Sequence, residues 1–395
     1  MLDDVWRDLT IGCRLLRRSP GFAAIAILTL AIGIGTNTAI YSVLDAVLLR
    51  PLPYPEPDRL VMVSEVNDTG GENSVAGGVF LDWRRHATRF EALALIAPAR
   101  FNLRGNGPPE RLVGQEVSHE FLRVLGIVPL VGRGFLPEDD RPGGRNDVVV
   151  ITKELWRSHF GGDPSIVGRR IVLNEIPRTV IGILPAGAWL FPSESFFVPA
   201  VLTPGTPRAA RAPHWATVIG RVAPGATVAD AGAEIKTIRR QLAAEYPPFK
   251  RGWGVMTRPV MQVLGSVTRT PLLILLVAVS LVLLIACANV ANLVMARSCH
   301  RQPDLAVRAA IGASGERLLR QLLTESLILA LAGSAAGILV AYGSLAILRS
   351  VAAAAMPITF RPELDVRVLL VTLALTLAIG RFADCCPRSV PAART

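Results

Sequence analysis

The chain has 395 residues, of which 51% are hydrophobic and 18% charged, with a mean hydropathy of +0.43 and a formal net charge of +11. The apolar excess is gathered into a few long clusters, which points to membrane segments. Arginine carries almost all the positive charge, lysine standing only at 153, 236 and 250, and no basic run is interleaved with aromatics, so nucleic-acid binding is set aside.

The first segment, residues 1–20, places Leu2, Val5, Trp6, Leu9, Cys13 and Leu16 on one helical face and Asp3, Asp4, Arg7, Asp8, Arg14 and Arg17 on the other. This pattern predicts an amphipathic helix lying in the cytoplasmic lipid interface. Ser19 can cap the next helix and Pro20 suits its first position. Residues 21–50 read as a first transmembrane and stalk helix, apolar over 22–49 except for Asn37 and Asp45. Such a helix rises roughly 42 Å, more than a hydrocarbon layer of about 30 Å needs, so its last turns with Asp45 are expected to project beyond the membrane. Arg14, Arg17 and Arg18 ahead of it predict a cytoplasmic N-terminus. The length of the segment and the missing small-residue cleavage motif set aside a signal peptide. Gly33 and Gly35 lie inside the apolar helix, and Gly-Lys-Ser/Thr occurs nowhere in the chain, so no phosphate-binding loop is predicted.

Prolines 51, 53 and 55 end that helix, and a polar domain is expected over 51–265. Strand patterns occur at 60–66, 113–117, 148–151, 170–173, 179–184 and 216–222, and helical patterns at 80–93, 120–125, 153–160 and 227–245. Asn174-Glu175 reads as a hairpin turn. Strands and helices mix without strict alternation, which predicts an α+β domain. None of the five cysteines falls between residues 50 and 265, so no disulfide framework is expected there. The absence of a Cys-x-x-Cys or paired-His spacing predicts neither metal nor cofactor. Glu138, Asp139 and Asp140 sit among Pro, Gly and Arg and read as a solvated loop. His86, His119, His159 and His214 are scattered, and the pairs Ser118-His119 and Ser158-His159 lack a nucleophile-elbow motif, so no catalytic group is assigned and an enzyme is not expected.

Residues 266–380 read as a membrane domain. PLLILLVAVSLVLLIACANVANLVMA, at 271–296, carries no charge and predicts a second span crossing back toward the cytoplasm. Asn289 and Asn292, near its inner end, are expected to couple it to a neighbouring helix. The stretch 297–324 is rich in arginine; Pro303, Asp304, Gly312 and Ser314 punctuate a short cytoplasmic helix suited to docking. A third span is expected at 326–348, with Gly333 and Gly337 at the spacing that allows close helix approach. A fourth begins at 368 but meets Arg381 after roughly 20 Å, too short to cross.

Three stretches carry a resemblance: TLAIGIGTNTAIYSVLDAVLLRPLPYPEPDRLV, WRSHFGGDPSIVGRRIVL and, most specifically, LLIACANVANLVMARSCHRQPDLAVRAAIGASGERLLRQLLTESLILALAG. Together they resemble the MacB/FtsX-type ABC transporter permeases, and within them the N-terminal half of the large duplicated permeases of acidobacterial type. The resemblance implies an α-helical membrane protein with a MacB-like extracytoplasmic core domain between the first two spans and a four-helix FtsX-like permease unit, of which this sequence supplies three full spans and a truncated fourth. It implies a multi-pass protein of the bacterial inner membrane, working with a separate ABC ATPase subunit, a second permease copy or half and a periplasmic adaptor. It places the ATPase contact at 301–312, with Arg301, Asp304 and Arg308 as contact residues; Pro303 departs from the charged residue usual in the family. The tail 381–395 also departs from the family's ending, and a shifted reading frame would restore it, so the resemblance implies a frameshift near Gly380. Two other readings stand beside transport: an FtsX-like regulator or sensor of an extracytoplasmic partner, and a truncated fragment without function.

Overall fold

The computed structural model describes residues 19–104, 110–187, 194–245, 252–300 and 315–352. The expected interfacial helix, the docking segment with Arg301, Asp304 and Arg308, the fourth span and the tail lie outside the described residues. The described chain forms two compact units, one over Pro51–Val267 and one from the helices before and after it.

The inserted unit is built on a twelve-stranded mixed sheet. Its strands are β1 (Leu60–Val66), β2 (Glu72–Asn73), β3 (Val75–Ala76), β4 (Phe90–Arg104), β5 (Glu110–Val117), β6 (Val131–Gly132), β7 (Val148–Thr152), β8 (Arg170–Leu173), β9 (Ile176–Leu184), β10 (Glu194–Pro199), β11 (His214–Val222) and β12 (Gly254–Pro259). The main order is β12-β1-β11-β4-β5-β10-β7-β9-β6, with β2 beside β1, β3 beside β11, and β8 beside β4 and β9. Most neighbours are antiparallel, but β10 runs parallel to β5, and β7 to β9. Five helices decorate it or lead out of it: α2 (Gly77–His86), α3 (Phe121–Leu125), α4 (Lys153–Phe160), α5 (Val228–Glu245) and the start of α6 (Val260–His300).

Period-two alternation explains the burial. In β1, Leu60 joins one core while Val61 and Val63 join another, and in β4 Ala94 and Ile96 face opposite to Leu93 and Leu95. α3 covers the first core with Phe121, Val124 and Leu125, and α5 covers the second with Ile235, Ile238 and Leu242. A third core gathers Val149, Ile151, Val180, Ile183 and Phe196 at the other end of the sheet. The expected hairpin forms at Asn174-Glu175, whose φ angles of 49° and 65° are those of the tight turn matching strand twist.

One expected helix is corrected. The pattern over 80–93 predicted a helix, but α2 ends at His86 and residues from Phe90 onward belong to β4. Alanine and leucine in this stretch favour a helix locally, yet Phe90–Ile96 pairs with β11, and β4 goes on to pair with β5 over Ile96–Leu103. Ladder pairing with a distant strand overrides the local preference.

The other unit contains α1 (Pro20–Leu44), the continuation of α6, and α7 (Gly315–Ala352). Three stretches within them, Pro20–Leu44, Arg269–Val290 and Ile328–Ile347, are long and apolar enough to cross a membrane. Pro20 occupies the first turn of α1, and the Ser19 carbonyl accepts from the Ala23 amide at 3.2 Å. The α-helix stops short of the expected end at residue 49: Asp45–Leu49 form one wider π turn. Asp45, in the expected stalk, is buried and accepts from Arg50 Nε at 3.0 Å. Pro271 lies inside α6, which starts eleven residues earlier, at Val260.

Candidate functional site

The membrane unit is organised by α1, which has a different neighbour on each side. Toward α7 the approach is set by glycine. A Cβ placed on Gly35 would stand 2.6 Å from the Gly337 carbonyl oxygen and 2.8 Å from Val340 Cβ. One placed on Gly333 would meet Leu30 Cβ at 2.6 Å, and one on Gly337 would meet Ala31 O, Gly35 N and Ile34 Cβ at 3.2 Å. Both predicted glycines therefore lie in a seam where two backbones nearly touch, continued by Ala39, Ala341 and Leu345.

Toward α6 the seam is apolar with a polar lock. Ala26, Leu30 and Ile34 pack with Leu283, Cys287 and Val290. Asn37, 6% exposed, donates from Nδ2 to the Val279 carbonyl at 3.1 Å and to the Gly33 carbonyl at 3.0 Å. The Ser280 hydroxyl donates back to Asn37 Oδ1 at 3.2 Å. A carboxamide surrounded by apolar helices has no water to bond; the Gly33 contact satisfies it within α1, and the Val279 and Ser280 contacts fix the register of α1 on α6.

Asn289 and Asn292 are placed elsewhere. The buried stripe of α6 runs Leu283, Ala286, Cys287, Val290, at helical spacing, and both asparagines fall off it and are exposed. The structure does not bring them to the seam with α1. Asn37 is the polar residue found there, and the signal for it was a lone carboxamide one turn after Gly33 in an apolar run.

In the inserted unit the loop after β6 is more ordered than its composition suggested. Asp139 is buried, with Arg133 Nη1 at 2.6 Å and Nη2 at 3.3 Å on its two oxygens and the Leu136 amide at 2.8 Å. Asp140 accepts from the His119 amide at 3.0 Å, lies 2.9 Å from His119 Nδ1, and has Arg84 Nη1 at 3.3 Å. Glu120 lies 3.3 Å from His119 Nε2 and 3.6 Å from Arg84 Nη1. The solvated loop expected here is thus a pinned one.

Burial works against charge on His119, but the Asp140 hydrogen bond and the charges of Glu120 and Asp140 outweigh it and raise its pKa. Burial likewise opposes the Asp140 carboxylate, and the bonds from the His119 ring and amide, with Arg84, bring its pKa below the ordinary value. His119, Glu120 and Asp140 offer three potential cation ligands within 4.8 Å of one another. Arg84 and the protonated His119 together balance the two carboxylates, so the group reads as a half-buried ion-pair network. Ser118 Oγ accepts from the Leu95 amide in the sheet, and Ser158, His159 and Glu110 form a hydrogen-bonded chain on the surface.

A mixed sheet inserted between the first and second of several membrane-length helices defines a membrane protein with a large domain outside the bilayer. The profile of the MacB-like periplasmic core domain family matches residues 23–238, more than half of the chain, and that of the FtsX-like permease C-terminal family matches residues 276–383. The chain belongs to the MacB-like periplasmic core domain family and is a permease of the MacB/FtsX type. Among curated proteins it is similar to the macrolide export ATP-binding/permease protein MacB of Chromobacterium violaceum, 28% identical over 58% of this chain and 34% of that protein. It is also similar to the protein of that name in Escherichia coli strain K12, 26% identical over 56% of this chain and 34% of that one. The chain spans about a third of the length of these relatives. Among solved structures, the periplasmic region of MacB from Actinobacillus actinomycetemcomitans aligns with a TM-score of 0.39 at 13% identity, over 54% of this chain and 92% of that one. The extracellular domain of the noncanonic ABC-type transporter YknZ from Gram-positive bacteria aligns with a TM-score of 0.37 at 16% identity, over 50% and 99%.

Proposed function

We propose that the chain is the permease component of an ABC system in the bacterial inner membrane and couples ATP hydrolysis on a separate subunit to motion of its extracytoplasmic domain. The observation that carries this reading is α6, one continuous helix of 41 residues. It rises roughly 62 Å, about twice a hydrocarbon layer, and its first turns belong to the inserted unit while the rest belongs to the membrane unit. A helix shared by the two units gives displacement of one a path along the chain to the other, with Pro271 as the place where the helix can bend. The N-terminus is cytoplasmic, and so is the arginine-rich segment that follows α6. Arg301, Asp304 and Arg308 meet the ATPase. Asn289 and Asn292, exposed on α6, face a second permease copy or half, and a periplasmic adaptor completes an efflux or extraction assembly.

The test is reconstitution with the cognate ATPase in lipid discs. Charge reversal at Asp304→Arg and Arg308→Glu should remove permease stimulation of ATP hydrolysis by tenfold or more while membrane insertion and the assembled yield stay at wild-type level. Undiminished stimulation would place the ATPase contact elsewhere.

A further inference from the structure

One face of the twelve-stranded sheet holds a cavity of about 360 Å³. Strand register sets its floor. Met62 of β1 pairs with Ile219 of β11, Thr217 of β11 with Ile96 of β4, and Arg100 of β4 with Val113 of β5, so all six leave the sheet on one side. The walls come from the two stretches of chain that join the inserted unit to the membrane helices. Tyr54 belongs to the stretch after α1, and Val260 and Leu264 belong to the first turns of α6.

The lining is apolar except near Val113, and there its charges cancel. Among the described residues that line the cavity, Arg100 and Glu194 alone are charged, and they flank the same Val113 in register, one on β4 and one on β10. Gln115 Nε2 donates to Glu194 Oε1, so that carboxylate has a donor within the protein. Tyr54 adds no charge: burial first, then Glu194, holds its phenol well above the ordinary value. A charged ligand would give up its hydration to a site without net charge, a cation meeting Arg100 and an anion meeting Glu194. An uncharged one loses nothing of the kind. The rest of the lining is apolar apart from Thr217, and Leu60, Ile96, Leu125, Ile219 and Val260 within it are buried. Packed interiors hold few voids larger than a water molecule, and apolar voids stay dry and take up apolar molecules.

We propose that this cavity is a binding site for a small uncharged apolar molecule, held between the sheet and the two connecting stretches by burial of its surface against Ile96, Ile219, Val260 and Leu264. The volume lies at the small end of ligand pockets, which span roughly 300–1,000 Å³, and suits a compound of one or two rings, not a macrocycle. A molecule in this place touches the chain just after α1 and at the start of α6 together. The inference goes beyond ATPase coupling and does not depend on it, since every residue used belongs to the inserted unit.

A thiol placed inside the cavity reports occupancy there, whatever partitions into lipid. Thr217→Cys is made in the full chain with its native cysteines replaced by serine, in lipid discs, and its reaction with methyl methanethiosulfonate is timed. Asp68→Cys, on an exposed turn, is the control. The added compounds share one ring system: 1-naphthalenemethanol, 1-naphthylmethylamine as its ammonium, and 1-naphthoate. The alcohol should slow the Thr217→Cys reaction saturably, by tenfold or more, and leave the Asp68→Cys reaction unchanged. The two charged compounds at the same free concentration should slow it less than twofold. Adding Ile219→Trp, which fills the floor, should remove the protection. Thermal unfolding checks that each variant is folded, and the three-compound comparison carries the test if the tryptophan variant is not. Four results overturn the proposal: a thiol the reagent cannot reach in the empty chain, no protection by the alcohol, equal protection by either charged compound, or equal slowing at Asp68→Cys.

Discussion

At the scale of single residues, Asn37 in its apolar seam and His119 and Asp140 in their ion-pair network each have a measurable consequence. Asn37 ties α1 to α6 through Val279 and Ser280. Bonds of this kind between membrane helices contribute about 0.6–2 kcal/mol. Asn37→Ala should lower the midpoint of unfolding in an SDS titration by an amount in that range, and a Ser280→Ala variant in the same background should add little further. His119 makes a pH prediction. Its raised pKa means that its stabilising contribution is complete below the ordinary imidazole pKa and is lost as pH rises through the folded-state value. Asp140, with its lowered pKa, contributes above the ordinary carboxylate value and loses that contribution as pH falls through its folded-state value. The network is therefore strongest between those two limits. The protection factors of amides in residues 136–146, taken against intrinsic exchange at each pH, should be highest in that window and fall toward alkaline pH, and His119→Gln should flatten the alkaline limb, with a loss of roughly 1–3 kcal/mol at its optimum.

Between elements, the seam of α1 with α7 depends on the missing side chains of Gly35 and Gly333. A methyl group at Gly35 would meet a carbonyl oxygen, and one at Gly333 the Cβ of Leu30, which is fixed to the backbone, so neither can be absorbed by a rotamer change. Gly35→Ala and Gly333→Ala should each destabilise the membrane unit by about 1–3 kcal/mol in the same titration. Gly343→Ala is the control: nothing lies within 4 Å of its added methyl, so it should be neutral or gain slightly from helix propensity. The elements of the inserted unit were uneven in how they announced themselves. The 60–66 pattern matches β1 and the 153–160 pattern matches α4, because each is bounded by turn or capping chemistry in its own sequence; Thr152 Oγ1, for example, accepts from the Leu155 amide. The stretch beginning at Phe90 did not announce itself, because its identity comes from partners far away in the chain.

For the molecule as a whole, the membrane segments and the inserted domain make a topological prediction. With a cytoplasmic N-terminus, the exposed turn around Asp68 lies outside the bilayer. Asp68→Cys, in a chain whose native cysteines are replaced by serine, should react with a membrane-impermeant maleimide on spheroplasts without lysis; labelling only after lysis would invert the assignment. The sequence by itself determined what depends on composition over long windows or on neighbours in the chain: three membrane-length helices, an inserted α+β domain, a hairpin at Asn174-Glu175, and close helix packing at Gly333 and Gly337. Hydrophobic length and local backbone preference act without knowledge of the rest of the fold, so they are legible in the letters. Only the tertiary structure decided that Asn37 and not Asn289 or Asn292 lies in the seam of α1 with α6, that Phe90 starts a strand, and that His119, Asp140 and Arg84 form one network. It also decided that Gln115 of β5 donates to Glu194 of β10. These facts depend on which face of an element is buried and on which distant residue pairs across it, and neither is a property of a local stretch of chain.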